Sequence, residues 1–318
     1  MQDVLQTVVG LALLIGSADL LVKGASAIAA RYGVSPLMIG LTVVSLGTSM
    51  PEMLVSVTAG LQGSADLAVA NVLGSNIFNI LVVLGVAAMI YPLRVQTSTV
   101  VSEIPFSLSA AILLGFLANA ALFATKPEVS ISRVDGAILL LFFLLFMLYI
   151  FSISNTGADE ASPAPVSRAI SRSIAFIVVG IIGLYLGGEW AVKGAVAIAR
   201  EWGVDDALIG LTIIAIGTSL PELMASGMAA YRKEADIAVG NVVGSNIFNI
   251  LWILGVTASI KELPFDAISN FDIIMVIVAT MLILLAVVTS RAATISRVWG
   301  GIFVCIYIAY IVYVVQRS

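Results

Sequence analysis

Residues 40–52 read "GLTVVSLGTSMPE" and residues 210–222 read "GLTIIAIGTSLPE". The same displacement carries "NVLGSNIFNILVVLGV" at 71 onto "NVVGSNIFNILWILGV" at 241, and "VKGASAIAARYGV" at 22 onto "VKGAVAIAREWGV" at 192. In all three cases the offset is 170 residues. "ISRVDGAI" at 131 returns as "ISRVWGGI" at 295, an offset of 164, so the part between has lost six residues. Generic likeness between apolar helices would repeat Leu, Val and Ile, but not Asn, Ser, Pro and Glu in fixed register. The chain is a duplication, and its fold must be built twice.

The solvent of that fold follows from composition. Of the 318 residues 60% are hydrophobic and 11% charged, whereas a soluble domain carries about 25% charged residues. Lipid cannot satisfy backbone polar groups, so the spanning elements must be helices or a closed barrel. Runs such as "AILLLFFLLFMLYIF" (137–151) lack the in/out alternation of barrel strands, and helices are expected. A span needs about 20 apolar residues. Ten candidates meet that length: 4–30, 35–60, 67–91, 100–123, 133–152, 173–199, 206–230, 237–260, 270–290 and 297–315. The only long polar interval is 152–172, rich in Ser, Pro, Gly and charge, which marks a linker.

The expected fold is thus an all-α polytopic membrane protein of ten transmembrane helices. Residues 1–152 form a first five-helix repeat, 153–172 a linker, and 173–318 a second repeat. An odd number of spans per repeat puts the second half in the membrane upside down, the inverted plan of many transporters with a site at the repeat interface near the midplane. Loops on the side of both termini carry Lys126, Arg133, Arg200, Lys261 and Arg317. The opposite loops carry Arg31, Arg94, Arg168, Arg172, Arg232, Lys233, Arg291 and Arg297. This bias favours a cytoplasmic linker and both termini outside the cell membrane. The N-terminus lacks a basic n-region, so the first apolar segment is expected to be a true span.

Several chemistries drop out. There is no histidine, which excludes His-based zinc or proton-relay sites, and the single Cys305 cannot form an intramolecular disulfide. No nucleotide-binding motif or domain is present, against an ATP-driven pump, and nothing points to nucleic acid or a cofactor. A membrane-embedded hydrolase would need a base beside its nucleophile, and a serine without His or intramembrane Lys is a poor one. The chain does not read as an enzyme.

The polar residues inside the repeat carry the function. Pro51 has no N–H to give the Gly47 carbonyl, and Pro221 none for Gly217, so each second helix should be kinked or partly unwound. Freed carbonyls at that depth are tolerable where they line a cavity. Glu52 lies three and four residues after Ser49 and Thr48, and Glu222 after Ser219 and Thr218, a spacing that puts the three oxygens on one helix face. Ser75 and Asn79, and likewise Ser245 and Asn249, are four apart and share a face of the following helix. An ionised Glu at a helix centre costs at least about 3 kcal/mol and marks a functional site. No Lys or Arg lies within either motif, which leaves a bound cation or a proton as the partner.

Two such carboxylates about 6 Å apart would repel by roughly 3 kcal/mol at an effective dielectric of 20. An empty site is therefore expected to hold a proton, and a divalent cation would compete with it. Carboxylate, amide, hydroxyl and backbone oxygens without thiolate or imidazole suit Ca²⁺ over zinc or copper. Two carboxylates neutralise one Ca²⁺, or with neutral oxygens hold several Na⁺, which is the chemical basis of exchange.

With these motifs the sequence resembles the cation/Ca²⁺ exchanger superfamily, specifically sodium/calcium exchangers of prokaryotic type. "GTSMPE" and "GTSLPE" with the paired "GSNIFNI" segments look like its two alpha-repeats, and the resemblance extends over essentially the whole chain. It implies ten helices, with the second, third, seventh and eighth around the ions and the first and sixth sliding to alternate access. It implies central carboxylates at Glu52 and Glu222 and hydroxyl ligands at Thr48, Ser49, Ser75, Thr218, Ser219 and Ser245. Contributing carbonyls fall on Ser45 and Ala215, and Asn79 and Asn249 take the remaining central positions. Some members, including potassium-dependent ones, carry Asp at the second of these, so Asn249 departs from their pattern and argues against K⁺ co-transport.

The expected function is secondary antiport of Na⁺ against Ca²⁺. H⁺/Ca²⁺ antiport is the rival within transport, and a cation channel the rival of another class. Among other polar residues, Asp19–Lys23 and Glu189–Lys193 are repeat-related i, i+4 pairs, expected to neutralise each other within a helix or to form a gating contact. Asn76 and Asn246 point off the Ser/Asn face and are expected to bond between helices. Asn71 and Asn241 are expected to do the same or to cap helix ends. Glycines 40, 47, 74 and 85 with their repeat mates should allow close helix approach. The acidic residues of "EWGVDDA" (201–207) are expected to be solvated or to attract cations at the outer mouth.

Overall fold

The computed structural model describes residues 2–120, 130–154, 170–203, 215–265, 269–290 and 292–317. Several expectations therefore lie outside the described residues. They are linker residues 155–169 with Arg168, the loop residues Lys126 and Arg291, the acidic stretch 204–207, and the beginning of the expected seventh span to residue 214.

The first half opens with α1 (Gln2–Tyr32). Next come α2 (Pro36–Ile39), a wide π-type turn at Gly40–Val44, α3 (Ser45–Thr48) and α4 (Met50–Gln62). Ser35 caps α2, its hydroxyl accepting from the Met38 N–H at 3.2 Å with Pro36 just inside the helix, the arrangement proline favours at a helix start. Gly63, at φ +88°, ends α4 in a left-handed cap. Then follow α5 (Ala65–Phe78), a π-type turn at Asn79–Val83 and α6 (Leu84–Ile90). The half closes with β1 (Leu93–Arg94), α7 (Thr97–Val101), α8 (Glu103–Ala118), β2 (Ser130–Ile131) and α9 (Arg133–Ser154).

The second half runs through α10 (Ile170–Glu201), α11 (Ala215–Gly217), α12 (Leu220–Tyr231) and α13 (Ala235–Ile247). A third π-type turn, Phe248–Leu254, leads into α14 (Gly255–Ile260) and β3 (Leu263–Pro264). It ends with α15 (Ser269–Val288), β4 (Thr294–Ile295) and α16 (Arg297–Arg317).

Among the described residues eight helical stretches are long and apolar enough to cross a membrane, and the pair 36–48 and 50–62, bent by 49°, makes a ninth. The expected span 100–123 starts at Thr97, breaks at Ser102 and ends its helix at Ala118. Four two-residue strands were not anticipated: β1 pairs antiparallel with β4, and β2 with β3. Each joins a loop of one half to a loop of the other, so the "ISRV" segments do more than start helices. Ser132 and Asp135 also form a reciprocal cap at the head of α9, Ser132 N–H to Asp135 Oδ2 at 2.8 Å and Asp135 N–H to Ser132 Oγ at 3.2 Å.

The centre of the molecule is the stretch 235–260, 94% buried over its apolar window, and its counterpart 67–90, 72% buried, against 11% for 297–316 at the periphery. The stretches carrying "GSNIFNI" are therefore the innermost. Around them α1 and α10 pack antiparallel, Asp3 and Thr7 beside Gly194, Gly10 beside Gly187 and Ala191, and Gly24 beside Ser173 and Ile177. A Cβ on Gly10 would come within 2.5 Å of the Ala191 nitrogen, so only glycine permits this approach. The glycine expectation holds at Gly40, Gly47 and Gly85. At Gly74 a Cβ would meet nothing within 4 Å among the described residues.

Candidate functional site

The proline expectation holds, with a shift of two residues. The second helix of the first half breaks at Ser49 (φ −84°, ψ 10°), and its counterpart at Ser219 (φ −91°, ψ 7°). Pro51 and Pro221 are the second residues of the new helices α4 and α12, where a missing N–H costs nothing. Glu52 and Glu222 fall in the first turns, where the helix dipole favours negative charge. The break spares the Ser45 carbonyl its helical partner, since the Ser49 N–H still reaches it at 3.0 Å. In the second copy the Ser219 N–H turns instead to Ile216, at 3.1 Å, and leaves the Ala215 carbonyl without that bond.

The hydroxyls beside the break reach across to the other copy. Ser49 donates to Glu222 Oε1 at 2.8 Å, and Ser219 donates to Glu52 Oε1 at 3.0 Å, each hydroxyl serving the carboxylate of the other copy. Ser245 approaches the same Glu222 oxygen at 3.5 Å. Thr48 donates to the Ser45 carbonyl at 3.4 Å and to Asn241 Oδ1 at 3.1 Å. Both glutamates are fully buried and close enough to interact electrostatically. Among the described residues neither is in an ion pair.

Nine buried side-chain oxygens have no hydrogen-bond partner among the described residues, and six belong to the paired segments 40–52 and 71–86 with their repeats 210–222 and 241–256. They are Oε2 of Glu52 and of Glu222, Oγ of Ser75, Oδ1 of Asn79 and of Asn249, and Oγ1 of Thr218. An unpaired buried polar group costs about 1–3 kcal/mol and more when charged. No group of three Asp, Glu or Cys side chains is assembled among the described residues. What the folding brings together is two carboxylates with neutral oxygens.

The supporting shell is made of asparagines. Asn71 donates to Ser56 Oγ at 2.9 Å and the Glu52 carbonyl at 3.4 Å, and Asn241 to Ser226 Oγ at 2.9 Å and the Glu222 carbonyl at 3.5 Å. They tie α5 to α4 and α13 to α12 and are not helix-end caps. Asn76 donates to the Asn246 carbonyl and Asn246 to the Asn76 carbonyl, both at 3.2 Å, which is the interhelical bonding expected of them.

The two sides of the site differ. A cavity of about 260 Å³ between α4, α10 and α12 is lined by Pro51, Tyr185, Glu189, Thr218 and Pro221. Thr218 is partly exposed there, whereas its mate Thr48 is fully buried. Glu189 and Lys193 pair at 2.5 Å at the rim. On the opposite side Asp19 and Lys23 pair at 2.5 Å as expected, and Arg232, at the end of α12, adds a second ion pair to Asp19. The repeat mate of Arg232 is Gln62, and among the described residues Glu189 has no second ion pair. Sequence reasoning missed this link and the three π-type turns, one beginning at Asn79 and one containing Asn249, a distortion that recurs at functional sites.

Residues 3–152 and 172–316 match the sodium/calcium exchanger protein family. The chain is 31% identical over 338 aligned residues to the sodium/calcium exchanger MaX1 of Methanosarcina acetivorans, covering 95% of each. It is 40% identical over 272 residues to the inner membrane protein YrbG of Escherichia coli, covering 82% of this chain and 81% of that one. A solved structure of the sodium–calcium exchanger NCX_Mj superimposes with a TM-score of 0.81 at 32% identity, covering 98% of both chains.

Proposed function

The chain belongs to the sodium/calcium exchanger protein family, and from that premise we propose that it is a secondary antiporter of the cell membrane exchanging Na⁺ for Ca²⁺ by alternating access. Its substrates bind at a midplane site between two inverted five-helix repeats, 1–152 and 173–318, joined by a cytoplasmic linker at 153–172. Glu52 and Glu222 supply the charge. Thr48, Ser49, Ser75, Thr218, Ser219 and Ser245 supply hydroxyls, Asn79 and Asn249 amide oxygens, and Ser45 and Ala215 main-chain carbonyls. The antiparallel run of α1 against α10 supports the inversion.

The observation that carries this reading is the set of six partnerless buried oxygens, two of them carboxylate oxygens with no basic neighbour. Hard oxygens in that number suit Ca²⁺, which takes six to eight, and the two charges match it. The same oxygens divide among several Na⁺, so one ion type displaces the other. The cavity at Thr218, with Glu189 among its lining residues, supports a state with access from the Glu189 side.

The test is Ca²⁺ uptake into proteoliposomes under imposed Na⁺, K⁺ or H⁺ gradients. An outward Na⁺ gradient should drive uptake, with K⁺ without effect. Drive by an H⁺ gradient alone would replace the reading by H⁺/Ca²⁺ antiport. Flux that needs no counter-ion would replace it by a channel.

A further inference from the structure

Four buried carboxamides form one hydrogen-bonded circuit, with Asn76 and Asn246 at its centre and Asn249 and Asn79 at its ends. Asn249 Nδ2 donates to Asn76 Oδ1 at 3.0 Å, and Asn79 Nδ2 donates to Asn246 Oδ1 at 3.2 Å. Asn76 and Asn246 in turn donate to each other's main-chain carbonyls. A carboxamide has one donor end and one acceptor end. A main-chain carbonyl can only accept, so it dictates which way Asn76 and Asn246 face. They in turn dictate the way Asn249 and Asn79 face. With their Nδ2 ends engaged, Asn79 and Asn249 turn their Oδ1 atoms away from the circuit, and both are buried without a partner.

We propose that Asn76 and Asn246 are positioning residues that hold Asn249 and Asn79 with carbonyl oxygens, not amide nitrogens, toward the transported cation. The inference rests on the ion-site reading above. Neither positioning residue touches the cation, and each acts through the asparagine that it holds. Without it the held amide is free to rotate by half a turn and present N–H groups, which repel a cation. The circuit also explains why position 249 is Asn and not Asp: an ionised Asp has no donor for Asn76 Oδ1. The same holds for position 79 opposite Asn246.

A double-mutant cycle separates this role from a merely structural one. Asn76→Leu, Asn249→Ala and the pair are reconstituted, and half-saturating Ca²⁺ for Na⁺-driven ⁴⁵Ca²⁺ uptake is measured per folded molecule. Partners behind a metal ligand are worth about 10–100-fold in affinity. Asn76→Leu should therefore raise half-saturation about tenfold or more with the maximal rate kept. In the Asn249→Ala background it should add nothing further. Additive effects, or an unchanged half-saturation in Asn76→Leu, overturn the inference while leaving the ion site standing. An unchanged half-saturation in Asn249→Ala itself overturns the ion-site reading and the positioning role with it. The mirror cycle of Asn246→Leu and Asn79→Ala gives the same decision if Asn76→Leu does not fold.

Discussion

Ser49 hydrogen-bonds Glu222, not the Glu52 three residues along its own chain. The contact spans 173 residues of sequence and is returned by Ser219 to Glu52. Each carboxylate therefore accepts a hydrogen bond from the other copy of the motif. The pairing uses one oxygen of each glutamate and leaves both Oε2 atoms without a partner.

Glu52→Gln and Glu222→Gln should each reduce Na⁺-driven Ca²⁺ uptake by roughly 100-fold or more, as expected when one member of a buried charge set worth about 3 kcal/mol or more is removed. Size-exclusion profiles should stay monodisperse, since Gln keeps the acceptor that Ser49 or Ser219 needs. Near-normal uptake by either variant would show that its carboxylate is not a central ligand.

Asn249→Asp should behave as more than an isosteric change. The ionised side chain sets a carboxylate oxygen against Asn76 Oδ1 in place of the present 3.0 Å hydrogen bond, at a cost of about 1–3 kcal/mol. A protonated carboxyl can donate and restores the contact. The melting temperature of the variant should thus fall below wild type by several degrees at pH 8 and by less at pH 5, while wild-type uptake stays independent of K⁺. Equal melting temperatures for variant and wild type at pH 8, or strictly K⁺-dependent wild-type transport, would contradict this placement of Asn249.

Arg232→Gln makes position 232 match its mate Gln62 and removes the second partner of Asp19. A partly exposed ion pair contributes about 0.2–1 kcal/mol, so the balance between the two sealed states should move by about one and a half- to fivefold. A cysteine at buried Val22, the mate of Val192 at the Thr218 cavity, reports it in a Cys305→Ser background. Its labelling by a small thiol reagent should quicken by that factor. An unchanged rate would make Arg232 a surface ornament.

The proposed orientation is open to direct test in the same Cys305→Ser background. Ser64, before α5, and Ser98, in the first turn of α7, are both exposed and lie at span ends assigned to opposite sides. An impermeant maleimide on intact cells should label Ser64→Cys and spare Ser98→Cys. The reverse pattern would turn the molecule over.

Much of this protein is legible in one dimension, because lipid leaves the chain few choices. The low charge content sends it into the membrane, and the backbone must then be helical. The duplicated motifs reveal that Glu52 and Glu222, Ser75 and Ser245, and Asn79 and Asn249 are equivalent. Pro51 and Pro221 announce broken helices through a purely local cause, a missing N–H.

Equivalence, however, is not contact. A repeat offset of 170 says which residues play the same part and nothing about which of them meet. Asn76 meets Asn246, and Ser49 crosses to Glu222, through contacts that no repeat offset specifies. The π-type turns, the strand pairs between halves and the Arg232 link likewise depend on how two copies are pressed together. Helical periodicity reports one face of one helix at a time. The partners across 167 to 173 residues were decided only by tertiary packing, where close glycine contacts bring main chains within reach and leave buried oxygens no other place to turn.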